Sequence, residues 1–526
     1  MQGKKILQAQ LFYQVSLSDM VPKDNFYRQL SQVLDLKWIY GETLHYYGKE
    51  GNESIDPVVF FKILLVGYLN NIGSDRRLID FCSDSLAIRL FLGYDIHEAL
   101  PWHSTISRTR QLYGEDVFLR LFRNVLTICV EKGMVRGRRQ AVDSAYIKAN
   151  ASMDSLVEKE VMEDAQTYAN ELNQGSEYKV SQSRKKAVEK HHKWKEEAYK
   201  TQHGGPNTTD QSNQIDPPMD ENGNLIRPKF LSNHTHYSPT DPDARISTKP
   251  GKARQLNYAG QIAVDDAHHL ITAACASSAG NRDSQNLSQI VDQAVENLRH
   301  HHIETVQIAA DAGYSSGEAL KYLEEKGIEG WIPNFGQYKS EREGFVYNPM
   351  YDRYECRKEG SNRAHLPFKG QHTDSKGYTK KTYRSSETDC KGCPFQTQCC
   401  GAKTKFKKID DSIYKPFYDR MHERIQSSLP YAKRISKIRS KTVEPVLGTL
   451  INYSNMKRVN TRGLKAANKH VLMAALTYNL KKYLKFSRLE IKTRAKQISS
   501  AVREFIFSNL ATLSGFHTLE MADSKF

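Results

Sequence analysis

The chain has no apolar run long enough to cross a bilayer. Its longest, Val58 to Leu69, is broken by Lys62 and falls short of the roughly 20 residues that a membrane helix needs. That stretch is expected to form a core helix, and no membrane partner is expected. Met1 to Phe12 carries two lysines with no apolar segment behind them, so a targeting signal is not expected either. The protein should therefore stay in the compartment that makes it, where thiols are normally reduced. Acidic residues are in deficit: 60 Asp and Glu stand against 76 Lys and Arg, for a net charge of +16. That balance favours a polyanionic partner, because neutralising phosphates releases counterions. Cysteines are too few for a disulfide scaffold. Of the 8, Cys82, Cys129 and Cys275 are scattered in apolar context and read as ordinary buried thiols, while the other five lie between Cys356 and Cys400. No internal repeat is visible, which excludes a solenoid or propeller.

With 526 residues, the chain has room for two to four domains and a buried core. Residues 1 to about 137 read as helical. Asp56-Pro57 is an N-cap followed by proline at the first helical position, and Ser74 can cap the next helix. A short polar helix opens at His103 and a longer apolar-faced one includes Leu119 to Leu126. Beyond the basic linker Arg136 to Arg139, Gln140 to Ile147 reads as a strand. Residues 154 to 254 are charged and poor in branched apolar side chains, the mark of an insertion. Two strands then flank a turn at Asp265-Asp266. A helix, a strand over Thr305 to Ala310, a helix over Ser316 to Gly327 and a short strand at Trp331-Ile332 follow. A second insertion, 338 to 430, holds the clustered cysteines. The last strong helical signal runs from Lys465 to Phe486. Such an order implies an α/β fold, a mixed sheet flanked by helices.

Three acids stand out. Asp143 sits inside an apolar strand, where an unpaired charge is costly. Asp311 ends a strand, where open α/β sheets place their sites. Glu444 precedes Pro445 at an apparent helix start before Val446, Leu447 and Leu450. Each alone reads equally well as a capping or ion-paired acid. Together they can clamp Mg²⁺, or Mn²⁺, through hard oxygen ligands. A pair of such ions about 4 Å apart activates an attacking oxygen and stabilises the leaving one. Asp265 and Asp266 read as turn formers.

The segments Gln140-Ala-Val-Asp-Ser144, Gly260-Gln-Ile-Ala-Val-Asp265, Ala310-Asp-Ala-Gly-Tyr314 and Thr442-Val-Glu-Pro-Val-Leu-Gly448 resemble the DDE transposases of bacterial insertion sequences. So do Arg462-Gly463, Leu476-Thr-Tyr-Asn-Leu-Lys-Lys482 and Thr240-Asp-Pro-Asp-Ala-Arg245. Asp283, in Asn281-Arg-Asp-Ser284, falls in another such segment. The resemblance implies an RNase H-like catalytic domain with Asp143, Asp311 and Glu444 as its acids. It also implies a helical N-terminal domain over 1–137 that binds terminal-repeat DNA. The catalytic domain would span 138–490, interrupted by the insertions 154–254 and 338–430, with a tail at 491–526. Two departures are plain: Arg439 is not at the family's commonest arginine offset, and Ile451 stands where a lysine is usual.

Cys390-Lys-Gly-Cys393 forms a knuckle with Cys399 downstream and Cys356 upstream. Four thiolates can close a structural Zn²⁺ site, here Cys356, Cys390, Cys393 and Cys399 with Cys400 as the swap candidate; the other reading is metal-free thiols. The resembling family carries a similar knuckle. For DNA, the polar helix with Ser104, Thr105, Arg108 and Arg110 can enter a major groove, or can be a solvated face of a dimerising domain. Arg434, Lys437, Arg439 and Lys441 lead into Glu444, and Lys457, Arg458 and Arg462 follow it, in position for phosphate contacts. His300-His301-His302 reads as a surface run. The expected function is DNA cleavage and strand transfer on double-stranded terminal inverted repeats and target DNA, by a homodimer in the bacterial cytoplasm at the nucleoid. The alternatives are an RNase H-like nuclease without strand transfer and a non-catalytic DNA-binding regulator.

Overall fold

The structure is a computed structural model that describes residues 16–48, 50, 54–158, 232–233, 235–247, 253–336, 338–374, 377–400 and 404–489. The expected tail at 491–526 and most of the 154–254 insertion lie outside the described residues. The chain forms two compact units: Met1–Lys148, Tyr258–Ser277 and Asn281–Phe526 make the first, Ala149–Asn257 with Ser278–Gly280 the second.

The first unit begins with eight helices: α1 (Leu17–Met20), α2 (Phe26–Val33), α3 (Trp38–Thr43), α4 (Pro57–Leu69), α5 (Asp75–Asp84), α6 (Leu86–Leu92), α7 (His103–Leu112) and α8 (Glu115–Glu131). The caps explain where several of them start. Asp56 accepts from the Val58 and Val59 amides at 2.7 and 3.0 Å, with Pro57 at the first position. Ser74 and Ser85 cap α5 and α6, and Gly93, in the left-handed region, ends α6. From Phe60 to Leu69 only Lys62 escapes full burial, so α4 is the central helix of this bundle rather than a surface one.

The sheet follows: β1 (Arg139–Lys148), β5 (Gln255–Asp265), β6 (Ile271–Ser278), β7 (Gln307–Ala309) and β8 (Glu329–Trp331). β6 pairs β5, β5 pairs β1, β1 pairs β7 and β7 pairs β8, the last two pairings parallel. In chain order the strands run third, second, first, fourth, fifth, the RNase H-like arrangement. Helices α9 (Asp283–Arg299) and α10 (Gly317–Glu325) bury Leu287, Ile290, Val291, Leu320 and Leu323 against Val142, Ala273 and Ile308. Against β7 and β8, Ala309 and Trp331 pack on Ile435 of the long helix α14 (Leu429–Tyr453).

Asp265 is more than a turn former. It is fully buried and accepts from the Gly137 amide at 2.6 Å and the Ala267 amide at 3.0 Å, pinning the basic linker to the hairpin. Asp266 pairs with Arg139 at 2.9 Å.

Between β8 and α14 lies an antiparallel sheet in the order β13-β12-β11-β10-β9, formed by β9 (Phe345–Asn348), β10 (Arg353–Cys356), β11 (His365–Thr373), β12 (Thr379–Arg384) and β13 (Lys408–Ser412). Two short helices, α11 (Glu387–Cys390) and α12 (Gln396–Cys400), carry Cys390, Cys399 and Cys400, and Cys393 lies between them. The helix α13 (Lys415–Ser427) falls inside the expected 338–430 boundary but packs Met421 and Phe417 on the main core. In the second unit, β2 (Val157–Glu158) pairs β3 (His236–Tyr237), and β4 (Arg245–Ser247) pairs Gln255–Asn257 at the start of β5.

The last described helix, α15, runs over 464–489 and is buried along most of its length. It packs against the N-terminal helices: the Lys481 ammonium donates to the Leu69 carbonyl at 2.8 Å, and Lys469 to the Arg110 carbonyl at 3.1 Å. His470 meets the Tyr68 hydroxyl at 2.6 Å through Nδ1, and burial pulls its pKa down to about 4. A neutral buried imidazole that regains an ordinary pKa on unfolding ties stability to pH. The contribution is intact above the unfolded value of about 6.5 and is lost as pH falls toward the folded value, by about 1.4 kcal/mol per pH unit. Urea unfolding followed from neutral pH to about pH 4.5 should show that slope, and His470→Gln should flatten it. Equal slopes in both proteins would assign the acid loss to other groups.

Candidate active site

Asp143 lies in β1 with neighbours that face opposite ways, as strand geometry requires. Val142 joins the core under α9, and the Ser144 hydroxyl donates to Asp283 on the same helix at 2.7 Å. Asp143 is engaged instead from α14, where Arg439 donates to its Oδ2 at 3.0 Å. The Asp143 side chain is 18% exposed and that of Arg439 12%. Burial raises the Asp143 pKa and the negative charge of Asp311 adds to the rise, while the Ser144 amide and Arg439 pull it back.

Asp311 follows β7. The parallel register pairs Arg139 with Gln307 and Ala141 with Ala309; carried two residues further, it brings 143 and 311 level. Asp311 also caps the short turn Ala312–Tyr314, its Oδ1 accepting from the Gly313 amide at 3.0 Å. Beneath the acids, the buried Tyr314 hydroxyl donates to Gln261 at 2.7 Å. Burial holds that phenol well above its ordinary pKa, and the charges of Asp283, Asp143 and Asp311 push the same way.

Glu444 is not at a helix start. It sits well inside α14, a 25-residue helix with Pro445 in its interior. Proline there removes one amide donor, to the carbonyl four residues back. Burial of Ile435, Val443, Val446, Leu447 and Leu450 along one side keeps the helix continuous. Glu444 itself is 60% exposed and reaches Arg439 at 3.5 Å. Arg439 therefore bridges Asp143 and Glu444. Among the described residues, no three His, Cys, Asp or Glu side chains are gathered closely enough to hold a metal ion.

The basic run before Glu444 splits by orientation. Arg434, Lys437 and Lys441 are exposed, and Lys437, Lys441 and Glu444 share one helical stripe. Lys457, Arg458 and Arg462 are exposed beyond the helix end. In α7, Arg108 is exposed and bonds Ser104 at 3.2 Å, while Ser104 and Thr105 are half-buried. Arg110 points the other way. It makes a two-pronged pair with Asp75 at 2.6 and 2.9 Å, inside the bundle. The Arg439 bridge and the Ser144–Asp283 bond were not foreseen. Their only sequence signals were an arginine inside a charge run and a resembling segment.

Cys356, Cys390, Cys393, Cys399 and Cys400 all line one small cavity in the antiparallel sheet region. The Ser385 hydroxyl lies 3.2 Å from the Cys390 sulfur and the Ser361 hydroxyl 3.3 Å from that of Cys356. Burial pushes the Cys400 thiol up to about 11, with Cys390 and Cys399 adding to the rise.

Two stretches of the chain match known families. Residues 15–112 match a transposase domain (DUF772), and residues 361–484 match a transposase DDE domain. The second match contains Glu444 and the cysteines from Cys390 to Cys400, and Asp143 and Asp311 lie between the two. No curated protein matches the chain. A transposase-domain match toward either end of one chain, with an RNase H-like sheet between them, supports a DDE transposase of an insertion sequence.

Proposed function

We propose that the chain cuts DNA at the ends of its own element and joins the freed 3′-hydroxyl to target DNA, using Asp143, Asp311 and Glu444. One observation carries this reading: Asp143 and Glu444, from a strand and a helix far apart in sequence, share a single arginine, with Asp311 close enough to raise the Asp143 pKa. Hard carboxylate oxygens are what Mg²⁺ or Mn²⁺ takes; Arg439 stands between Asp143 and Glu444 here, so the three acids would close on an ion as that guanidinium leaves. Asp143, Asp311 and Glu444 would hold the metal. When bound, it supplies charge stabilisation and an activated oxygen for phosphoryl transfer.

The chain's own residues do the rest. Asp143, on the sheet, gives a fixed reference point for the scissile phosphate. Arg439 is placed to turn from the carboxylates to a phosphate oxygen as DNA enters, exchanging one anion for another. Lys437 and Lys441, on the stripe that ends at Glu444, are placed to hold the backbone on either side. Arg434, Lys457, Arg458 and Arg462 extend that track. Ser104, Thr105 and Arg108 on α7 are the residues proposed for terminal-repeat contact. Two ends must be joined, so a homodimer on DNA is part of the reading. The five clustered cysteines line one small cavity without three of them at metal-binding distance, so a structural Zn²⁺ would need Cys356, Cys390, Cys393 and Cys399, the proposed set, to close on the ion. Metal analysis of the purified protein should return one zinc per chain, and none would leave these as plain thiols.

The test is incubation of the protein with Mg²⁺, a duplex carrying the element's ends and a supercoiled target. Joined products at the 3′ ends are the expected result. Nicked ends without joining would make the protein a nuclease, and binding without nicking a regulator.

A further inference from the structure

We propose that Asp283 is a positioning residue of this site, acting through the Ser144 hydroxyl to hold the ends of β1 and β7 at the spacing that cation binding needs. The inference rests on the metal-site reading above and adds a fourth acid to it.

Asp283 is the first residue of α9. An acid there is ordinary, since a helix N-terminus favours negative charge. Its orientation is not explained by that. Oδ1 accepts from Ser144, the residue after Asp143, at 2.7 Å. Its Oδ2 faces Gly313, two residues past Asp311. A Cβ at Gly313 would meet Asp311 Oδ1 at 3.1 Å and Asp283 Oδ2 at 3.5 Å. One carboxylate therefore touches the segment bearing the first aspartate and closes over the turn bearing the second. α9 is in turn fixed by Leu287, Ile290 and Val291, buried in the core beneath β1 and β7. Asp143 and Asp311 repel each other. A strut outside the pair sets their separation without neutralising either.

The role is that of a hydrogen-bond acceptor, so the oxygen matters and the charge does not. Asp283→Asn keeps an acceptor for Ser144; Asp283→Ala and Ser144→Ala remove the bond from either side. Loss of a group that orients a metal ligand typically weakens metal binding about tenfold or more.

The experiment is direct Mn²⁺ binding to the full chain, without DNA, by the electron paramagnetic resonance of free Mn²⁺, with thermal unfolding alongside. Asp283→Ala and Ser144→Ala should each weaken binding about tenfold with little change in unfolding temperature. The double variant should be no worse than either single one, because both remove the same bond. Asp283→Asn should bind within about threefold of wild type, as expected where the acceptor is retained. Unchanged affinity in Ser144→Ala overturns the proposal, as does an Asn variant as weak as the Ala one. Asp143→Ala is the control for the parent reading. If it binds Mn²⁺ as well as wild type does, the metal site itself is misassigned and the inference falls with it.

Discussion

Asp143→Ala, Asp311→Ala and Glu444→Ala should each reduce cleavage of end-bearing duplex by about a thousandfold or more, with DNA affinity within a few-fold of wild type. The two readouts separate because of where the acids stand. None is a basic residue that contacts phosphate, so their loss takes away no counterion-releasing charge. Affinity should rise slightly if it changes, since a negative group has been removed near the DNA path. The three variants should also differ in stability. Asp143, at 18% exposed, is the more buried of the two acids on Arg439, so its removal leaves a buried guanidinium with only the exposed Glu444, at 3.5 Å, as its acid partner. Glu444 is mostly exposed, and its replacement should leave the unfolding midpoint unchanged. Gel-resolved cleavage and fluorescence anisotropy on the same preparations give the comparison. Full cleavage by Glu444→Ala would mean that the third acid lies elsewhere.

Arg110→Ala should destabilise the fold by about 3 kcal/mol, the cost of leaving one partner of a buried pair unpaired. The side chains of Arg110 and Asp75 are 15% and 20% exposed, so Asp75 would keep only partial access to water. Replacing both partners, as Arg110→Met with Asp75→Leu, should recover much of the loss, because an apolar pair of similar volume avoids desolvation altogether. Urea unfolding measures each step. A DNA-reading arginine predicts the opposite pattern: unchanged unfolding and a sequence-specific drop in affinity. Arg108, exposed two residues away on the other side of α7, is where that second pattern is expected.

What could be read from the sequence follows from what periodicity and capping report. The strand carrying Asp143 was legible because branched apolar residues flank a single acid. α4 was legible because Asp56-Pro57 marks its start. Glu444 stands out in the sequence as a candidate, but its setting is not legible there: Pro445 signals a boundary locally, and only packing on the sheet overrides it. Arg110 was grouped with Arg108 because both lie on a polar helix. Two residues apart on a helix are on different sides, and only the partner at Asp75 shows which side is inside. Arg439 could be seen as a charge but not as the bridge between Asp143 and Glu444, since that contact closes a gap of 296 residues. Contacts of such range leave no local pattern.

The packing of α15 on α4 bears on how the protein is made. The Tyr68 hydroxyl and the Leu69 carbonyl find their partners at His470 and Lys481, separations of 402 and 412 residues. A ribosome has to translate nearly the whole described chain before the first helical bundle can bury its remaining apolar face. At a bacterial pace of roughly 5–20 residues per second, that face waits tens of seconds at the tunnel exit. Messages cut short before 464 would yield chains that expose it permanently, and chaperones and proteases would be expected to clear them.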